Sequence, residues 1–381
     1  MSFSIGGMFS GGVISSFKGL FISLPWILAL YPSILSLRGD ISGVLSGRIS
    51  TMLHTGEVEP KFIGNTRDFY ALIKSLFALT YIDSLAMGFL TFIINFLAEN
   101  ACLADLPYFA LVPIVACLLS TGLSMPITLV TAFSSFRRGF DPDVVVYPVI
   151  AIMNDVLVAV SYSIVILLTI ALTGNFISLF LLFAFLLLII ILIASRTDWK
   201  LRSYSSTIRE ATPVVILTSL DGVINGVILA HYKYAIQMKP EVIVVYPVLL
   251  NALGAVGSII GSLTTTRLAL GLLYPSLSSF KYLLLDVLGV YSSSLLLYSL
   301  YGSLAFAFCI SIGLSVVLQS MILLCIMVGM VGVPLVVAVS FVIGIVAYNR
   351  GWDPDNLVIP IVSSLSDFLG TLLIVSLMHL L

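Results

Sequence analysis

The chain has 381 residues, of which 60% are hydrophobic and only 9% charged, and its formal net charge is -1. That balance excludes a soluble fold, whose surface needs more charge, and without a basic patch the chain has no electrostatic footprint for nucleic acid. Residues 287–349 contain no Asp, Glu, Lys, Arg or His, a run long enough for two membrane passes. The expected class is an all-α polytopic membrane protein, because the short alternating strands of a barrel are absent.

Residues 1–16 are rich in Gly and Ser and only moderately apolar, so they form either a short or broken first helix or an interfacial segment. No basic n-region is present, and no signal peptide is expected. Helix A is predicted over 18–50, with Pro32, Arg38, Gly39 and Asp40 inside it. A polar loop leads to helix B, 70–97, which holds Asp83. Helix C covers 106–136, broken near Pro113 and Pro126, and ends at Arg137 and Arg138. Helix D runs over 142–172 and a Thr-Gly-Asn turn follows. Helix E, 177–194, is nearly all Leu, Ile and Phe; with no polar face, most of its surface should meet lipid. A polar, basic loop precedes helix F, 210–232, with Asp221 and Asn225. Helices G (241–271), H (280–304, with Asp286), I (309–347, interrupted at Pro334) and J (354–379) complete about ten transmembrane helices. The four cysteines lack CxxC spacing and the three histidines are isolated, so neither a zinc site nor a disulfide framework is expected. The cysteines read as packing residues.

The cations give an orientation. Loops A–B, C–D, E–F, G–H and I–J carry thirteen of the seventeen Lys and Arg. The positive-inside rule makes that side cytoplasmic and puts the C-terminus outside.

Two patterns are duplicated. RRGFDPDVVVYPVIAIMND, ending at Asp155, is matched without a gap by RGWDPDNLVIPIVSSLSD, ending at Asp367. In each copy an Asp (Asp141, Asp353) is placed to cap a helix and a Pro (Pro142, Pro354) takes its first position. Thirteen residues on lies a lone carboxylate, roughly 20 Å along the helix and past the middle of a hydrocarbon core of about 30 Å. YPSILSLRG at 31–39 is likewise matched by YPVLLNALG at 246–254. Helix A therefore pairs with G and D with J. Six helices separate the members of each pair, an even number that helix E supplies, so the repeats are parallel and related by a pseudo-twofold axis along the membrane normal. The same alignment matches residue 1 to residue 216, which leaves the first half without most of a counterpart to helix F.

These motifs, Pro-x6-Gly in helices A and G and Asp-Pro-Asp-x4-Pro-x6-Asp in D and J, resemble the MgtE family of magnesium transporters. They are more similar still to its solute-carrier relatives, in which two MgtE-type membrane domains are fused. RGDISGVLSGRIST (38–51) is especially like the solute-carrier version, and GAVGSIIGSLTTTRLALG (254–271) is nearer the bacterial one. The resemblance implies a first MgtE-like domain over 1–175, a connecting helix at 176–196 and a second domain over 197–381. It implies a cation path between the two domains, lined by Asp155 and Asp367, with a turn at Gly39-Asp40 and Gly254-Ala255 near it. The chain departs from the family in lacking cytoplasmic magnesium-sensing domains and in matching Asp40 with Ala255.

On the residues' own chemistry, an intramembrane acid is by default functional. Two such acids brought together do not both stay ionised without a cation. Mg2+ suits them, since it binds one or two carboxylates and keeps several waters; interhelical hydrogen bonding is the competing structural role. Pro32, Pro148, Pro247 and Pro360 each free a backbone carbonyl, either for an ion or for a neighbour to satisfy. Asp40 is placed to reach the ion path, and Arg38 either pairs with an acid such as Asp83 or forms another structural ion pair. Asn251 has an amide oxygen for an ion, with packing the stronger reading. Asp83, Asp221 and Asp286 rank second, for a further cation or a proton. The expected function is transport of divalent cations, most of all Mg2+, by a monomer of the cell membrane without an organic cofactor. A Na+- or H+-coupled exchanger is the alternative, and a membrane enzyme or assembly factor the remote one, since no nucleophile–base pair or phosphate loop is present.

Overall fold

The structure is a computed structural model that describes residues 2–139, 142–172, 175–350 and 354–378. Its helices are α1 (Ser2–Ser15), α2 (Trp26–His54), α3 (Arg67–Leu97), α4 (Leu106–Arg137), α5 (Pro142–Ala171), α6 (Phe176–Ser195) and α7 (Arg202–Thr218). After these come α8 (Leu220–His231), α9 (Lys233–Met238), α10 (Glu241–Ala269), α11 (Leu284–Ser311), α12 (Leu318–Asn349) and α13 (Pro354–Leu377). No strand occurs among the described residues. Eight helical stretches there are long and apolar enough to cross a membrane, and Ile361–Leu377 is a shorter apolar helix. The chain is an all-α polytopic membrane protein.

Three expectations change in detail. Helix A begins at Trp26 rather than near 18, because Pro25 supplies the fixed φ of a helix start and the preceding residues form only a 3-10 turn at Lys18–Leu20. The boundary between helices H and I moves to 312–317, where Gly313 turns the chain at φ +80°. Helix F is two helices, α7 and α8, parted at Ser219.

The chain forms two compact units. One contains Leu20–Lys233, the other Met1–Gly19 together with Tyr234–Leu381. In the first, α2 is the hub and packs on α3, α4, α5, α7 and α8. Its run from Trp26 to Ile34 is fully buried, as a helix apolar all round must be. In the second unit α10 is the hub and packs on α1, α11, α12 and α13. Helix α6 lies against α3 and α4, and most of it is exposed, as suits a helix that meets lipid.

The segment Ser2–Ser15 is helical and packs on α10, while α8 packs on α2. Both carry Gly-x3-Gly, at Gly7 and Gly11 and at Gly222 and Gly226, a spacing that lets helix backbones approach closely. A Cβ on Gly226 would stand 1.9 Å from the Ala29 carbonyl oxygen, and one on Gly11 would stand 2.0 Å from the Ile243 oxygen and 2.8 Å from the Val244 Cα. Under the alignment that matches Tyr31 with Tyr246, Gly11 corresponds to Gly226 and Val244 to Ala29. The N-terminal helix thus serves the second-half hub as α8 serves the first-half hub. The compact units and the repeat boundaries drawn along the chain do not coincide, because each hub takes its Gly-x3-Gly helix from the other half of the sequence.

Candidate functional site

The two acid-bearing helices are described from Pro142 and Pro354 onward. The expected caps Asp141 and Asp353 lie outside the described residues, as do the side chains of Pro148 and Pro360. Asp155 on α5 and Asp367 on α13 are both half-buried. Each helix is pinned to its own hub by a hydroxyl beyond the acid. Tyr162 donates to the carbonyls of Trp26 (3.2 Å) and Ile27 (3.0 Å). The hydroxyls of Thr371 and Tyr246 are 2.9 Å apart, and Thr371 also donates to the backbone carbonyl of Asp367 at 2.8 Å. Hydroxyl–carbonyl bonds of this kind satisfy groups that lipid cannot.

Gly254 is buried, and a Cβ there would lie 3.7 Å from Ser363 Oγ, one turn before Asp367. Three residues on, a Cβ at Gly257 would meet Val362 at 2.4 Å, so α10 runs close against α13 just ahead of the acid. Asn251 is exposed on α10, and Gly39 is half-buried, with nothing among the described residues within 4 Å of a built Cβ. The expected turns at Gly39-Asp40 and Gly254-Ala255 are absent: α2 and α10 are continuous helices through both points. The carbonyl that Pro247 frees, that of Ile243, is covered by Gly11 of α1. A neighbouring helix packs over that gap.

Asp40 looks toward the break between α7 and α8. Its Oδ2 accepts from Thr218 Oγ1 at 2.8 Å and from Ser219 Oγ at 3.3 Å. Asp221, in the first turn of α8, accepts from Ser36 Oγ of α2 at 3.0 Å and from the Gly222 amide at 2.6 Å. The charge of Asp40 reaches both Asp221 and Asp83. Asp83 on α3 is fully buried, and neither carboxylate oxygen has a hydrogen-bond partner among the described residues.

Arg38 does not pair with Asp83. Its guanidinium is fully buried in hydroxyls, donating to Thr121 Oγ1 (2.8 Å), Ser124 Oγ (2.7 Å), Ser120 Oγ (3.3 Å) and Ser42 Oγ (3.4 Å). Arg38 and Asp40 are two residues apart and leave α2 on different faces, which carries one to α4 and the other to the α7–α8 break. The hydroxyls of Ser120, Thr121 and Ser124 share one face of α4. That cluster, rather than any acid, was the signal in the sequence. The sequence marks this break only weakly, with Ser219 at the N-cap and Asp221 in the first turn of α8 and neither Gly nor Pro at 218–219.

Three further acids have polar partners among the described residues. Asp286 pairs with Arg267 at 2.8 Å, and the Asp105 carboxylate accepts from the Cys102 amide at 2.9 Å. In the loop after α6, Asp198 is held by Lys74 at 2.6 Å and Arg67 at 3.1 Å. The hydrogen bond from Lys74, followed by that from Arg67, lowers its carboxyl below the usual carboxylate range.

The comparisons with known proteins agree with the duplication. The family model described as MgtE, divalent cation transporter, matches residues 31–165 and 246–377, and each match begins on the Tyr-Pro of its hub helix. No curated protein matches the chain, and no solved structure does. With both repeats matched over well more than half its length, the chain belongs to the MgtE family of divalent cation transporters.

Proposed function

We propose that the chain carries Mg2+ across the membrane along a path lined by Asp155 and Asp367. One observation supports this above the rest: the same acid recurs at the same depth in two duplicated helices, each pinned to its hub by a buried hydroxyl. A purely structural acid has no reason to be copied so faithfully while Asp40 is matched by Ala255. Carboxylates and waters are the ligands Mg2+ accepts most readily. The membrane potential drives it inward at about 2.3 kcal/mol per charge per 100 mV. Gly254, Gly39 and Asn251 line or border this path, the C-terminus is outside, and one chain suffices as a monomer, since it holds both repeats.

The test is Mg2+ uptake into vesicles holding a trapped Mg2+ dye, competed in turn by Mn2+, Co2+ and Ca2+. Uptake that persists against an equal concentration of each competitor supports Mg2+ as the cargo. Uptake abolished by one of them assigns the path to that ion instead.

A further inference from the structure

Asp83, Asp40 and Asp221 come from three helices that pack on one another, α3, α2 and α8, all inside the unit Leu20–Lys233. Asp40 has two hydroxyl donors, and Asp221 has a hydroxyl and an amide. Asp83 has none: it is 0% exposed and both its oxygens lack a partner among the described residues. A second orphan acceptor lies on α8, the Oδ1 of Asn225, 2% exposed and one turn beyond Asp221. An ionised carboxylate in that state is costly, because nothing offsets its lost hydration.

The ionisable groups around Asp83 do not relieve it. Helix α2 offers Asp40, whose charge opposes its own, and Arg38, which is spent on hydroxyls. Helix α8 offers Asp221 and, at its far end, His231. Helix α4 has only Cys117 and hydroxyls until Arg137 at its end, and α6 has no charged residue. On α7, Glu210 is taken by Arg48, ten residues past Arg38 on α2, and Arg202 and Arg209 precede it. On α3 itself Arg67 and Lys74 are held by Asp198, and Asp68 accepts from Ser203. Nor do the acids form a ready chelate. Among the described residues no three His, Cys, Asp or Glu side chains are grouped to hold a metal ion. The ligand that needs only one acceptor, removes the charge and supplies the missing donor is a proton.

The set belongs to one half alone. At the offset that matches Tyr31 with Tyr246, Asp83 corresponds to Tyr298, Asp40 to Ala255, Asp221 to Gly6 and Arg38 to Leu253. A path shared by both repeats does not require it.

We propose that Asp83 is a proton-binding site of the first half, tuned by Asp40 and Asp221, and that it exchanges a proton for the inward passage of Mg2+. The step is a protonation of the Asp83 carboxylate from one side and its release to the other, with no other bond made or broken. This rests on the Mg2+ reading above.

The test uses the full chain in vesicles with a trapped pH dye, the voltage clamped by K+ and valinomycin, and Mg2+ added outside. Wild type is expected to turn the lumen alkaline as Mg2+ enters. Asp83→Asn is expected to lose the pH change, and Asp83→Glu to keep it. Infrared pH-difference spectra of the purified protein give a readout without flux: one carboxylic-acid carbonyl component is expected to be lost in Asp83→Asn. A wild type that moves Mg2+ with no pH change, a requirement for Na+, or a pH change that survives in Asp83→Asn overturns the proton site. Asp155→Asn, run alongside, reports on the Mg2+ path separately.

Discussion

Gly226 of α8 lies against the carbonyl of Ala29 on α2 so closely that a Cβ would come within 1.9 Å of the oxygen. Gly11 of α1 meets Ile243 of α10 at 2.0 Å by the same measure. Both obstacles are hub backbone, which does not yield as a side chain would. Gly226→Leu and Gly11→Leu should each destabilise the protein by at least the ~1–3 kcal/mol of an overpacked core, read as a fall in Tm in detergent. Gly19, with open space around it, should accept Ala at little cost. Equal Tm values for all three variants would contradict the shared helix-on-hub packing.

The hydroxyl cage predicts an asymmetry at Arg38. Thr121→Val removes the 2.8 Å bond to a buried guanidinium and should cost about 1.5–3 kcal/mol, the range for hydrogen bonds to charged groups. Arg38→Met removes the charge itself. Thr121 and Ser124 retain carbonyl acceptors on α4, at Cys117 and Thr121, so the change should be near neutral or stabilising in a thermal melt.

Cys102 is exposed, whereas Cys117, Cys309 and Cys325 are buried. If the C-terminus is outside, the loop between α3 and α4 is outside as well. An impermeant maleimide added to intact cells should then label one thiol, and Cys102→Ser should abolish the labelling. Labelling only after the membrane is opened would invert the orientation.

Asp198 is held below the usual carboxylate range by Lys74 and Arg67. Its folded value is the lower one, so its stabilising effect is complete above the unfolded value and is lost as the pH falls through the folded value. Asp198→Asn should lower Tm at neutral pH, and the gap to wild type should close in acid, below the ordinary carboxylate range. A gap that widens in acid would contradict the ion-pair account.

Much of the helical frame was legible because lipid enforces it. An apolar run bounded by Asp-Pro at 141–142 and the turn residues at 173–175 fixes α5, and Leu, Ile and Phe all round mark α6 as lipid-facing. The repeat was legible for the same reason, since caps and prolines recur at fixed spacing. Less of the polar interior was legible. The Thr121 partner of Arg38 is 83 residues away, and hydroxyl bonds leave no charge pattern to read. Helix α1 is Gly-rich and weakly apolar, and its fit to α10 depends on a long-range close approach that no local periodicity encodes. The break at Ser219 meets Asp40 of another helix, a tertiary contact that the local sequence does not show.

The central claim is that Asp155 and Asp367 act as a pair on the transported ion. Mg2+ uptake into vesicles, compared between wild type, Asp155→Asn and Asp367→Asn at matched protein content and Tm, tests it most directly. Loss of uptake in each single variant, with the fold intact, is the predicted result. Normal uptake in both would make these acids structural and contradict the account.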